Sequence, residues 1–283
     1  MFTLFKSFRL TNVVSMLFLL IGFRVFYYHH FVQVGLANFN HNTIEFTLFV
    51  LSIGLITSAG YLVNDILDQK TDAINHPQKQ LAFSNKKLWL LYFFINTLAI
   101  LIIFALTISS TVRWILLLAI VLLFMYSYFF QKLPLIGNIS IAFLAGLLPI
   151  LYYYYDATTS PLLLQTVYLY AGIAFGITLL RELIKDKQDK QGDKIAGYKT
   201  IPILLSSRWF MVFFFGLSIC FMIGYYWLIR VYSITIITQH KIWYLTYILF
   251  FLALFFTSKN KIDLASLCLK LVLFTGVLLL YFL

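Results

Sequence analysis

Nine apolar runs, each close to the length that crosses a bilayer, govern what this chain can become. They fall at residues 10–30, 43–63, 88–108, 111–130, 134–155, 161–181, 208–229, 240–257 and 264–283. A helix satisfies its own backbone polar groups and needs about 20 residues to cross the hydrocarbon core. The runs therefore predict an all-α polytopic membrane protein, with nine transmembrane helices enclosing a central cavity and residues 1–283 forming one domain. With 62% of residues hydrophobic and 11% charged, a soluble domain is excluded. The first run follows Lys6 and Arg9 but ends without a small-residue cleavage pattern, so it is expected to be a retained helix. Cys220 and Cys268 both lie inside runs, which leaves no disulfide framework or thiolate metal site.

The net charge of +11 says little until the charges are placed. Of the 21 basic residues, 16 precede run 1 or follow runs 2, 4, 6 and 8, namely Lys6, Arg9, Lys70, Lys79, Lys86, Lys87, Lys132, Arg181, Lys185, Lys187, Lys190, Lys194, Lys199, Arg208, Lys259 and Lys261. Cytoplasmic loops carry such an excess. The expected arrangement is an inner-membrane protein with a cytoplasmic amino-terminus and an external carboxyl-terminus. The positive charge is then topological and implies no nucleic acid partner.

The acids are more telling. Seven of the ten, Asp65, Asp68, Asp72, Glu182, Asp186, Asp189 and Asp193, fall in two short stretches after runs 2 and 6, on the same predicted cytoplasmic face. Asp65, Asp68 and Asp72 stand at i, i+3 and i+7, and Asp186, Asp189 and Asp193 repeat the spacing. On a helix these positions share one face. The flanks DQKTDAINHPQK and DKQGDKIAGYK echo each other, which predicts two related four-helix units, runs 1–4 and 5–8, with run 9 appended.

Three carboxylates on one face repel one another, and a hard divalent cation with oxygen ligands relieves that repulsion. Mg²⁺ typically takes one or two carboxylates together with substrate phosphates. In a membrane, the polyanion with an apolar body that suits two such triads is an isoprenyl diphosphate. Asn64 offers a carboxamide to metal or phosphate. A divalent cation transporter is the remote alternative, but runs 2 and 6 offer little polar path beyond Ser52, Thr57, Ser58 and Thr178.

These residues carry a resemblance to the UbiA-type intramembrane prenyltransferase superfamily, over nearly the whole chain. Asn64-Asp65-x-x-Asp68-x-x-x-Asp72 is similar to the family's first motif, and AINHPQKQL to the INRPxRPL that usually follows it, with His76 and Gln80 at its Arg and second Pro and with Pro77 and Lys79 retained. RELIKDKQDKQGDKIAGYKTIPI, residues 181–203, resembles the second motif. MYSYFFQKLPLIGN contains a Tyr-x-x-x-Lys signature before a Gly-Asn pair, read literally as Tyr128 and Lys132, while a second alignment pairs Tyr126 and Gln131 with those positions. FRLTN resembles RPxN, with Asn12 as its polar group.

The resemblance implies two Mg²⁺ ions, one on Asp65, Asp68 and Asp72 and the other on Asp189 and Asp193, with Asn64 and Asp186 in support. It implies that Lys132 and Tyr128 bind the diphosphate, with Arg181 and Lys199 as further candidates. The implied reaction moves a polyprenyl group from an isoprenyl diphosphate donor to a lipophilic acceptor among membrane lipids. The second motif is closest in form to the digeranylgeranylglyceryl phosphate synthase branch, which implies geranylgeranylglyceryl phosphate as acceptor. An aromatic acceptor such as 4-hydroxybenzoate is the alternative.

Three features call for no function. His29, His30 and His41 are expected at the surface. Arg24 is expected to reach the outer interface, and Tyr152 to Tyr155 to form an interfacial belt.

Overall fold

The computed structural model describes residues 9–36, 38–75, 83–156, 161–232 and 241–282. Lys6, His76, Pro77, Lys79 and Gln80 lie outside them. Twelve α-helices and no strand occur among the described residues. They are α1 (Leu10–Tyr27), α2 (Thr43–Leu67), α3 (Gln69–Asn75), α4 (Asn85–Ala105), α5 (Ser110–Tyr128), α6 (Ile136–Asp156), α7 (Pro161–Gln188), α8 (Lys190–Ile195), α9 (Ile201–Leu204), α10 (Ser207–Tyr232), α11 (Lys241–Ser258) and α12 (Ile262–Leu279). Eight are long and apolar enough to cross a membrane, and α11 supplies a ninth, shorter apolar helix. The protein is an integral membrane protein.

Local chemistry sets the helix ends. Asn42 and Glu45 form a reciprocal capping box that starts α2: Asn42 Oδ1 accepts from the Glu45 N–H at 2.9 Å, and Glu45 Oε2 accepts from the Asn42 N–H at 3.2 Å. Ser109 Oγ accepts from the Val112 N–H and opens α5. Within the bundle α6 lies along α7, α12 along α11 and α7, and α2 along α4 and α5. Small residues permit close approach, as membrane helices require. A Cβ on Gly146 of α6 would stand 3.0 Å from the Ala171 carbonyl of α7.

The core at the end away from the aspartate motifs is aromatic, and it revises three expectations. Arg24 does not snorkel outward: its guanidinium donates to Asp156 Oδ2 at 2.9 Å and to the His41 carbonyl at 2.9 Å, between the rings of Phe39 and Phe46. Asp156 is fully buried and also accepts from the Asn40 and His41 N–H groups. The ion pair thus ties α1 and α6 to the segment before α2. His41 is not a surface histidine either, since its ring stacks on Tyr155 at 4.2 Å and its side chain is 10% exposed. Tyr152 and Tyr155 are core residues, stacked on Phe23 and Phe49 respectively, so the belt reduces to Tyr153 and Tyr154. The buried carboxylate of Asp156 draws Arg24 and His41 inward, and ring stacking holds Tyr152 and Tyr155 in the core.

Candidate active site

The two aspartate motifs adopt the same backbone shape. α2 stops at Asp68 and the chain resumes at once as α3, just as α7 stops before Asp189 and resumes as α8. The interrupting residues match closely, with φ −91° and ψ 11° at Asp68 and φ −88° and ψ 4° at Asp189. Their hydrogen bonds match as well. Asp68 N–H donates to Asn64 O and Asp72 N–H to Asp68 O, while Asp189 N–H donates to Lys185 O and Asp193 N–H to Asp189 O, all within 2.8–3.1 Å. The expected i, i+3, i+7 face is therefore not one continuous helix. Each triad bends at its middle aspartate, which sets the third carboxylate on a separate short helix.

Asn75 joins the motifs. Its Nδ2 donates to the Asp189 carbonyl at 3.0 Å and its Oδ1 accepts from the Gly192 N–H at 2.8 Å. Gly192 leaves room for this contact, because a Cβ would stand 2.5 Å from Asn75 Nδ2 and displace the carboxamide. α3 and α8 are thereby held against each other.

Asp68 is held by three side-chain donors. It accepts from Asn64 Nδ2 at 2.6 Å, from Gln131 Nε2 at 2.6 Å and from the Tyr198 hydroxyl at 3.3 Å. Burial pushes its carboxyl up to about 6; the Gln131 hydrogen bond opposes this and the charge of Asp72 adds to it. Burial likewise raises Asp193 to about 7, with the charges of Asp189 and Asp68 contributing. The charge of Asp68 thus reaches Asp193 across the two motifs. Asp186 accepts from Asn138 Nδ2 at 2.8 Å. Asp65 is 1% exposed and lies 3.8 Å from Arg9 Nη2.

Among the described residues, no three acidic, histidine or cysteine side chains close onto one point. Asp65 faces Arg9, while Asp68 faces Gln131 and Tyr198. The donor set nonetheless suits Mg²⁺. It consists of carboxylates and carboxamides, all hard oxygen ligands, and the coupling of Asp68 with Asp193 marks a place where positive charge would be stabilising.

Beneath the motifs lies a cavity of about 250 Å³. Its polar wall includes Arg9, Asn12, Tyr61, Asn64, Tyr126 and Arg181, and its apolar wall includes Ile53, Leu116, Leu148, Ile173 and Val277. Asn12 donates to the Tyr61 hydroxyl at 3.2 Å, which fixes its amide at the cavity wall. Arg9 also lies over the Tyr61 ring, 5.0 Å from its centroid.

The literal Tyr-x-x-x-Lys alignment fares unevenly. Tyr128 is 56% exposed and stacks on Phe124, whereas Tyr126 lines the cavity. Gln131, in the turn Phe130–Lys132, reaches the first motif, accepting from Asn64 Nδ2 at 2.9 Å. Lys132 stays near the site, its ammonium 5.5 Å from the Tyr128 ring centroid and 5.9 Å from that of Tyr198. Its carbonyl accepts from the Lys199 N–H at 3.0 Å, while the Lys199 side chain is exposed.

The chain matches the model of the UbiA prenyltransferase family over residues 29–267. It belongs to that family. Among curated relatives, this UbiA chain is 35% identical over 178 residues to digeranylgeranylglyceryl phosphate synthase of Thermococcus gammatolerans, and 30% identical over 171 residues to that of Methanobrevibacter smithii. The first match covers 60% of this chain and 61% of the relative, the second 58% and 60%. The chain thus spans about 60% of the length of these relatives. The fold agrees over nearly the full length with two solved UbiA homologues. The one from Aeropyrum pernix gives a TM-score of 0.68 at 15% identity, covering 95% of this chain and 97% of that one. The Archaeoglobus fulgidus homologue bound to DMAPP and Mg²⁺ gives 0.66 at 18% identity, covering 99% and 100%.

Four residues of the UbiA site escape a reading of charge and spacing. Gln131 was visible only in the second alignment, and Asn138 only as half of the Gly-Asn pair. Arg9 was visible only as the Arg of the RPxN-like FRLTN, and Tyr198 had no signal of its own.

Proposed function

We propose that this protein is a Mg²⁺-dependent intramembrane prenyltransferase that moves a geranylgeranyl group from its diphosphate to geranylgeranylglyceryl phosphate. The observation that carries the reading is the pair of equivalent helix breaks at Asp68 and Asp189, tied together by Asn75 over a cavity that is polar at the motifs and apolar beyond. The names of the curated relatives support the acceptor, and the diphosphate-bound homologue supports the donor class.

In this reading Asp68 and Asp72 hold one Mg²⁺, Asp189 and Asp193 the other. Asn64 and Asp186 support them, and Asp65 anchors Arg9. Bound there, Mg²⁺ would neutralise diphosphate oxygens and ease their departure with the electron pair of the allylic C–O bond. Lys132 and Arg9 add positive charge beside the leaving group, and Tyr126 and Tyr198 supply hydroxyl donors. Ile53, Leu116, Leu148 and Ile173 surround the prenyl chain and keep water from the carbon left electron-poor. The acceptor hydroxyl then bonds to that carbon and releases its proton. The site faces the cytoplasm, and the amino-terminus lies on the same side.

The test is incubation of purified protein and Mg²⁺ with labelled geranylgeranyl diphosphate and either geranylgeranylglyceryl phosphate or 4-hydroxybenzoate. A doubly prenylated glyceryl phosphate is expected. Transfer only to the aromatic ring would overturn the acceptor, and metal flux in liposomes without any transfer would overturn the enzyme.

A further inference from the structure

Lys270 is a lysine midway along the apolar helix α12, where an ammonium is costly unless it serves a purpose. It lines the cavity beneath the aspartate motifs, which Asn64 of the first motif also lines, and its Nζ donates to Thr11 Oγ1 at 3.1 Å. It forms no ion pair among the described residues.

Four cations line this cavity, Arg9, Arg181, Lys185 and Lys270, against one acid, Glu182. Two of the four are matched. Arg9 lies beside Asp65 and Asn64, and Lys185 Nζ donates to both Glu182 oxygens at 2.7 and 2.9 Å. Arg181 reaches the same Glu182 only at 3.4 Å, and its buried Nε has no hydrogen-bond partner. Lys270, with no ion pair among the described residues, and Arg181, with an unpartnered Nε–H, thus line one cavity, and an anion between them would be stabilising. Beyond Lys270 the same helix lines the cavity with Leu273, Phe274 and Val277, an edge suited to an alkyl chain.

We propose that Lys270 and Arg181 form a second anion subsite, distinct from the aspartate clamp, that takes the phosphate headgroup of the acceptor lipid. This rests on the prenyl-transfer reading above. An acceptor held there presents its glyceryl hydroxyl toward the motifs while its chain follows α12. Because a charge-assisted hydrogen bond to a phosphomonoester discriminates against the uncharged alcohol, the subsite confers headgroup preference and leaves donor binding to the aspartate motifs.

The experiment uses the full chain in proteoliposomes, with geranylgeranyl diphosphate as donor and either geranylgeranylglyceryl phosphate or its dephosphorylated alcohol as acceptor. The wild type is expected to prefer the phosphate. Lys270→Met should raise KM for the phosphorylated acceptor and shrink the preference about tenfold or more, while KM for the donor moves less than about twofold. Lys270→Arg should restore most of the preference. An unchanged preference in Lys270→Met overturns the subsite, and a parallel rise in the donor KM assigns Lys270 to the diphosphate instead. Those failures differ from that of the function itself, in which the wild type transfers to neither glyceryl acceptor and the subsite falls with it.

Discussion

Asn75 grips Gly192 and its neighbour Asp189 from a single carboxamide, accepting from one N–H at 2.8 Å and donating to the other's carbonyl at 3.0 Å. Two segments far apart in sequence become one mouth through this contact, and the distance between their carboxylates depends on it.

Gly192→Ala places a methyl group 2.5 Å from the Asn75 amide and must displace that amide or push α8 from α3, either of which breaks the contact. We expect turnover to fall about tenfold or more with an increased Mg²⁺ requirement, since groups that orient metal ligands typically contribute that much. Rate against Mg²⁺ concentration measures this. Asn75→Ala should act in the same direction.

Asp68→Ala and Asp189→Ala should each lower turnover by at least about a hundredfold while thermal stability in detergent is retained. Removing a half-buried carboxylate from a crowded acidic site relieves repulsion, so the loss should be functional. Activity surviving in both variants would show that the metal lies elsewhere.

The two alignments after α5 make opposite forecasts. If geometry decides, Tyr126→Phe and Gln131→Leu lower kcat/KM for the donor about tenfold, while Tyr128→Phe, at an exposed position, has little effect. The reverse ranking would restore the literal Tyr128 reading.

Arg24→Met leaves Asp156 charged and buried without its guanidinium. Stability should drop by about 3–5 kcal/mol, as expected for one broken partner of a buried pair. Thermal unfolding in detergent would record it, and the Arg24→Met/Asp156→Asn double variant should recover part of the loss. The pair lies at the end of α2 opposite the motifs, so kcat of the folded fraction should stay unchanged.

The amino-acid sequence by itself determined the membrane architecture, because apolar length and the need to satisfy backbone groups in lipid admit few solutions. It also determined that two aspartate triads belong to one site, since their spacing and flanks repeat. It did not reveal the breaks at Asp68 and Asp189, which appear as a smooth helical period although the backbone turns at the middle residue. Nor could it choose between Tyr126 and Tyr128, two positions apart, because only the packing of α5 decides which side chain faces the cavity. Nothing in the sequence linked Arg24 and His41 to Asp156 or singled out Lys270. Polar groups inside a membrane protein find partners by tertiary proximity, over separations of more than a hundred residues, and no local pattern records those encounters.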